Sequence, residues 1–126
     1  MYAIIYLNWS GSKEEFKEAK DTLKEVANKY SLKIISFGHS GDGNVHINII
    51  KDVADDVWKE KDPKAAEEIY KLAVGLGGMV SGEHGIGLTR KKFLSLGADE
   101  AQIQIMKKIK QNFDPKNILN PGKIFN

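Results

Sequence analysis

All three histidines of this 126-residue chain fall in two glycine-rich stretches, and each stretch adds groups able to bind an ion or move a proton. The first runs Gly38-His39-Ser40-Gly41-Asp42-Gly43-Asn44-Val45-His46-Ile47-Asn48. Asp-Gly is a favoured pair for a two-residue hairpin turn, because both central positions need positive φ. With Asp42 and Gly43 at the tip, Gly41 faces Asn44, Ser40 faces Val45, and His39 faces His46. Direct cross-strand neighbours hold their β-carbons roughly 5 Å apart, close enough for two imidazoles to grip one ion. Side chains alternate along a strand, so Asn48 shares the face of His46 while Ile47 and Ile49 point into a core.

The second stretch runs Gly77-Gly78-Met79-Val80-Ser81-Gly82-Glu83-His84-Gly85-Ile86-Gly87, with Glu83 and His84 its only ionisable side chains. Adjacent residues on a strand point to opposite faces, but in a glycine-flanked turn both can converge on one site. Two histidines plus a carboxylate form an open site for a divalent ion, with positions left for water or substrate. Nitrogen and oxygen donors suit zinc, manganese, iron(II) or cobalt, and the residue types do not choose among them. Taken singly, each feature has a plainer reading: a packed strand histidine, a turn, a surface Glu-His pair, glycines serving backbone geometry.

Those two stretches need a scaffold. Met1 to Asn8 reads as a strand rich in β-branched and aromatic residues, too short and wrongly flanked for a signal peptide. Ser12 with Glu15 makes a capping box for a helix from Lys13 to about Tyr30, whose apolar positions Phe16, Ala19, Leu23, Val26, Ala27 and Tyr30 keep helical spacing. Leu32 to Phe37 and Val45 to Ile50 read as strands around a turn region, Gly38 to Asn44. Asp62-Pro63 starts the next helix, with proline at the first position. Ala65, Ile69, Leu72, Ala73 and Leu76 form its apolar face, and Gly77-Gly78 ends it. Met79-Val80 reads as a short strand. A short helix follows over Arg90 to Leu96, and Asp99 N-caps another through about Phe113. The tail from Asp114 is non-repetitive. The order predicts an α+β domain spanning 1–126: a ferredoxin-like antiparallel sheet of three or four strands with helices packed on one face, plus C-terminal helices. Such a sheet leaves an edge exposed.

Composition narrows the function. Nineteen basic residues against 17 acidic give a net charge of +2, and the lysines are interleaved with acids, so nucleic acid is not an expected partner. The absence of cysteine excludes disulfides, zinc–thiolate sites and cysteine nucleophiles and fits a reducing, cytoplasmic setting. No apolar run approaches the roughly 20 residues needed to cross a bilayer.

Together the strings Gly38-His39-Ser40-Gly41-Asp42-Gly43-Asn44-Val45-His46, Ser81-Gly82-Glu83-His84-Gly85-Ile86-Gly87 and Asp114-Pro115-Lys116-Asn117-Ile118-Leu119-Asn120-Pro121-Gly122-Lys123-Ile124 resemble the C-terminal domain of FAD-linked oxidases of the vanillyl-alcohol-oxidase superfamily. The branch is that of D-lactate dehydrogenase, D-2-hydroxyglutarate dehydrogenase and the glycolate oxidase D subunit. The resemblance runs from about Leu32 to the end, and residues before it fit only by their strand–helix pattern. It implies a divalent metal (Zn, Mn or Fe) on His39, His46 and Glu83, with His84 as the base beside the substrate and Asn48 lining the same pocket. It also implies that Asn120 and Lys123 approach the flavin.

The implied chemistry is coherent with these residues. A metal holding the substrate's carboxylate and hydroxyl acts as a Lewis acid. A neutral histidine takes the hydroxyl proton, and hydride passes from the α-carbon to flavin. The small-molecule 2-hydroxy acid would be oxidised to the 2-oxo acid. The FAD domain of that family lies N-terminal to this region, as does the segment that usually supplies a substrate-pairing arginine, and neither is recognisable here. The expectation is therefore an FAD-binding domain or subunit as partner, with no flavin colour and no turnover from the chain alone. An electron-carrier or peripheral membrane partner, and self-association, complete the implied partners. The competing reading is a stand-alone metal- or small-acid-binding module without flavin chemistry.

Overall fold

The computed structural model describes residues 3–8, 13–39 and 44–125, with backbone alone at 3–8, 13–16, 39 and 44. The elements run β1 (Ala3–Asn8), α1 (Lys13–Tyr30), β2 (Lys33–His39), β3 (Asn44–Ile50), α2 (Asp55–Gly75), a single 3-10 turn (Lys91–Phe93) leading into α3 (Leu94–Gly97), and α4 (Glu100–Phe113). The strands form one sheet in the order β1-β3-β2, with β3 antiparallel to both neighbours. Among the described residues this is the split β-α-β arrangement of the ferredoxin-like fold with three strands, so the α+β expectation holds.

The core lies between one face of the sheet and the two long helices. Ile47 and Ile49 of β3 are fully buried, and they belong to one cluster with Leu23 and Val26 of α1 and Ala65, Ile69 and Ala73 of α2. Burying a side chain of this size stabilises the fold by roughly 1.5–3 kcal/mol. A polar tie reinforces the helix pair: Glu68 of α2 accepts hydrogen bonds from Lys29 Nζ at 2.5 Å and from the Tyr30 hydroxyl at 2.6 Å.

Three local expectations are corrected. Helix α2 begins at Asp55 and carries Pro63 inside it, rather than starting at Asp62-Pro63. An interior proline costs about 3 kcal/mol relative to alanine because it lacks the N–H donor. Against this, the added turns bury Trp58 in the core and place Asp55 and Asp56 at the positive helix end. Second, Met79-Val80 forms no strand. The segment between α2 and Ser81 pairs with no strand of the sheet, and Val80 instead packs into the core with Phe93. Third, β2 reaches His39 and β3 starts at Asn44, so the turn region is shorter than Gly38 to Asn44. The capping box of Ser12 and Glu15 lies outside the described residues.

Both long helices close in the same way. At the end of α2, Gly77 has φ 77, and the N–H groups of Gly77 and Gly78 donate to Val74 and Ala73 carbonyls. This is a Schellman motif, which favours glycine at the left-handed position. At the end of α1 the same pattern places Ser31, φ 52, in that position, with Ser31 and Leu32 donating to Asn28 and Ala27. A side chain there is strained. Ser31→Gly should therefore stabilise the chain by about 0.5–1 kcal/mol, relief of strain outweighing the extra freedom of the unfolded glycine, as a raised urea midpoint at unchanged slope would show.

Candidate functional site

The sheet face away from the helices carries the first set of site residues. Register pairs Phe37 with His46 and His39 with Asn44, so His39 does not stand opposite His46 as the Asp42-Gly43 turn had implied. The pairing is displaced by two residues. A two-residue displacement preserves strand parity, so position 39 still alternates in step with 37 and position 46 with 48. Gly38 pairs with Val45, in place of the expected Ser40. The side chain of His39 lies outside the described residues, as do residues 40–43 at the tip.

His46 is buried on this face, 7% exposed. Its ring stacks on Phe37, centroids 4.9 Å apart and planes 3° from parallel. Asn48, two residues on, is half-buried, and its Oδ1 is shielded from solvent without a hydrogen-bond partner among the described residues. Leaving a buried acceptor unsatisfied costs about 1–3 kcal/mol, which a ligand bringing a donor would recover.

The glycine loop meets this strand. One carboxylate oxygen, Glu83 Oε1, lies 3.4 Å from His46 Nε2 and 3.4 Å from His84 Nε2. The structure thus brings His46, Glu83 and His84 together from two stretches of chain. Among the described residues no three His, Asp or Glu side chains form a group arranged to hold a metal ion. The donor chemistry at the meeting point is two imidazole nitrogens and a carboxylate oxygen, which suits a divalent ion of borderline softness.

The loop is braced from three sides. The carbonyl of Gly85 accepts from Ser81 Oγ at 3.1 Å and from Arg90 Nη1 at 3.0 Å. The carbonyl of Gly87 accepts from the Ile124 N–H at 2.8 Å, and Lys91 Nζ donates to the Gly122 carbonyl at 3.1 Å. The tail that contains Asn120 and Lys123 therefore docks on the loop bearing Glu83 and His84. Both of those tail residues are exposed. Sequence reasoning missed Phe37, Ser81 and Arg90 as supports of the site. Phe37 could have been found only with the register in hand.

Asp114, at the C-terminal end of α4, shapes the start of that tail. Its carboxylate accepts from Lys110, from the Ile118 N–H at 3.0 Å and from the Leu119 N–H at 2.9 Å. The Lys110 hydrogen bond and the two backbone donors hold its carboxyl below the usual aspartate range, against the opposing effect of burial. A lowered folded value stabilises the fold above the unfolded value of about 3.9 and loses that contribution as pH falls through the folded value. Asp114→Ala should lower Tm at neutral pH, and thermal melts should show the difference from the parent shrinking as the solution is acidified.

Comparison with known proteins gives a consistent picture. The sequence profile of the family described as FAD linked oxidases, C-terminal domain, matches residues 10–124. The chain is 38% identical over 113 residues to glycolate oxidase subunit GlcD of Bacillus subtilis (strain 168), covering 90% of this chain and 24% of that protein. It is 43% identical over 100 residues to D-lactate dehydrogenase of Archaeoglobus fulgidus, covering 79% and 22% respectively. It is 41% identical over 96 residues to D-2-hydroxyglutarate dehydrogenase of Stutzerimonas stutzeri (strain A1501), covering 75% and 21%. The chain thus spans less than a quarter of the length of these relatives. Among the described residues no helix is long and apolar enough to cross a membrane.

Proposed function

We propose, from the premise that this chain belongs to the family of FAD-linked oxidase C-terminal domains, that it forms the substrate- and metal-binding wall of a flavin-dependent dehydrogenase for a D-2-hydroxy acid of the lactate, glycolate or 2-hydroxyglutarate type. The observation that carries this reading is the approach of Glu83 Oε1 to both His46 Nε2 and His84 Nε2. Three relatives named for hydroxy-acid oxidation support it.

In this reading His39, His46 and Glu83 hold a divalent ion, zinc, manganese or iron. When bound, that ion supplies Lewis acidity to the substrate oxygens and the flavin supplies the hydride acceptor. His84 accepts the proton of the substrate hydroxyl at an imidazole nitrogen, with Glu83 beside its ring to orient it. Asn48, with its shielded Oδ1, receives a hydrogen bond from the bound acid or its ordered water. Phe37 covers one face of the His46 ring and limits water there.

FAD is held by a region outside this chain, which docks on surfaces left apolar here. Helix α4 buries none of its side chains and exposes Ile105, Ile109 and Phe113 at four-residue spacing on one helical face. In the assembled enzyme Asn120 and Lys123 approach the cofactor from the tail.

Titrating the metal-stripped chain with Zn2+ or Mn2+ tests the wall directly. His46→Ala and Glu83→Gln should each weaken binding at least tenfold; unchanged affinity in both would overturn the metal assignment. In an assembly with an FAD-binding region of this family, His84→Asn should reduce kcat for the hydroxy acid by about 10²–10⁴-fold while leaving metal content intact. Metal and hydroxy-acid binding by the chain alone, unaltered by any FAD-binding region, would favour the stand-alone module.

A further inference from the structure

The stretch Gly82-Glu83-His84-Gly85 is exposed along its length, and Gly85 takes φ 69. Nothing in this turn packs into the core, so its position depends on its hydrogen bonds. Two of these converge on the Gly85 carbonyl, one residue after His84. Ser81 Oγ reaches it from within the loop and so closes the turn locally without tying it to anything else. Arg90 Nη1 reaches it from outside.

Arg90 is itself anchored. Its guanidinium lies beside the side chain of Tyr70, a residue 4% exposed in the core. The Tyr70 ring packs on Phe93 with centroids 4.3 Å apart. A continuous set of contacts therefore runs from the core of α2 through one planar guanidinium to the backbone beside His84. The guanidinium fork presents several donors in fixed geometry, which lets it bond the Gly85 carbonyl while its charge faces the Tyr70 side chain. The backbone N–H of Arg90 adds a bond to the Ile86 carbonyl at 3.3 Å, holding the same turn from its far end.

We infer that Arg90 is a positioning residue: it fixes the Glu83-His84 turn against Tyr70 and thereby sets the approach of Glu83 Oε1 to His46 on β3. Its functional consequence rests on the proposed metal and base roles of these residues; its structural action does not. The experiment uses the full chain with Arg90→Gln, Arg90→Lys and Tyr70→Phe, reading amide 15N relaxation along the backbone and Zn2+ affinity by titration. Arg90→Gln should raise fast motion at the amides of 82–86 while β3 and α2 stay as rigid as before, and should weaken Zn2+ binding about tenfold. Arg90→Lys, which keeps a cationic donor, should recover part of both. Tyr70→Phe, which keeps the packed ring and removes the anchor, should loosen the same amides. Relaxation at 82–86 unchanged by Arg90→Gln, or altered equally across α2 and β3, would overturn the inference. If the unsubstituted chain takes up no Zn2+, the metal reading fails, and the relaxation comparison still decides the role of Arg90.

Discussion

Strand β3 runs between two antiparallel neighbours, and its side chains must alternate between two unlike environments. Ile47 and Ile49 go beneath the helices; His46 and Asn48 take the other face. The two isoleucines together contribute roughly 3–6 kcal/mol by burial, several times the net worth of a single hydrogen bond. Exchanging the faces would expose both and bury an imidazole and an amide in their place. That asymmetry makes the position of His46 a consequence of core packing, and the site sits on the central strand of the sheet.

The other site residues come from a segment with no such support. Glu83 and His84 lie in an exposed glycine-rich loop, so their meeting with His46 depends on what braces the loop. The braces come from separated parts of the chain: Ser81 within it, Arg90 just after it, and the C-terminal tail through Ile124 and Gly122. The tail adopts strained backbone to do this. Ile124 has φ 65, uncommon for a β-branched residue, and such conformations cost of order 1–3 kcal/mol. Its N–H bond to Gly87 links the third sequence motif to the second. The three motifs, far apart along the chain, thus form one contiguous structure: hairpin strand, loop laid over it, and tail laid against the loop.

This chain spans less than a quarter of the length of its named relatives, and it leaves several large apolar side chains exposed. Ile35 and Phe37 on the open sheet face, and Ile105, Ile109 and Phe113 on α4, are all well exposed. The long helices pack on one side of the sheet, and Ile35 and Phe37 stay exposed on the other. On the same face Asn48 Oδ1 is shielded from solvent and has no hydrogen-bond partner among the described residues.

Much of this was legible in the sequence because it depends on short-range periodicity. Helical spacing located α1, Asp99 announced the N-cap that begins α4, and the two-residue alternation of Ile47 and Ile49 against His46 and Asn48 assigned each residue to its face. The grouping of three histidines in two glycine-rich stretches pointed to the loop that reaches His46. The exact register was not legible. A slip of two residues keeps both isoleucines inside and His46 outside, so the hydrophobic pattern is satisfied equally by His39 or Phe37 opposite His46; local turn preference favoured the former, and the folded sheet adopts the latter. The start of α2 was hidden for a related reason, since proline propensity is local while the burial of Trp58 is not. The anchoring of the loop by Arg90 and Tyr70, twenty residues apart, was likewise decided only by the tertiary structure, because nothing in chain order says which carbonyl a long, flexible cation will find.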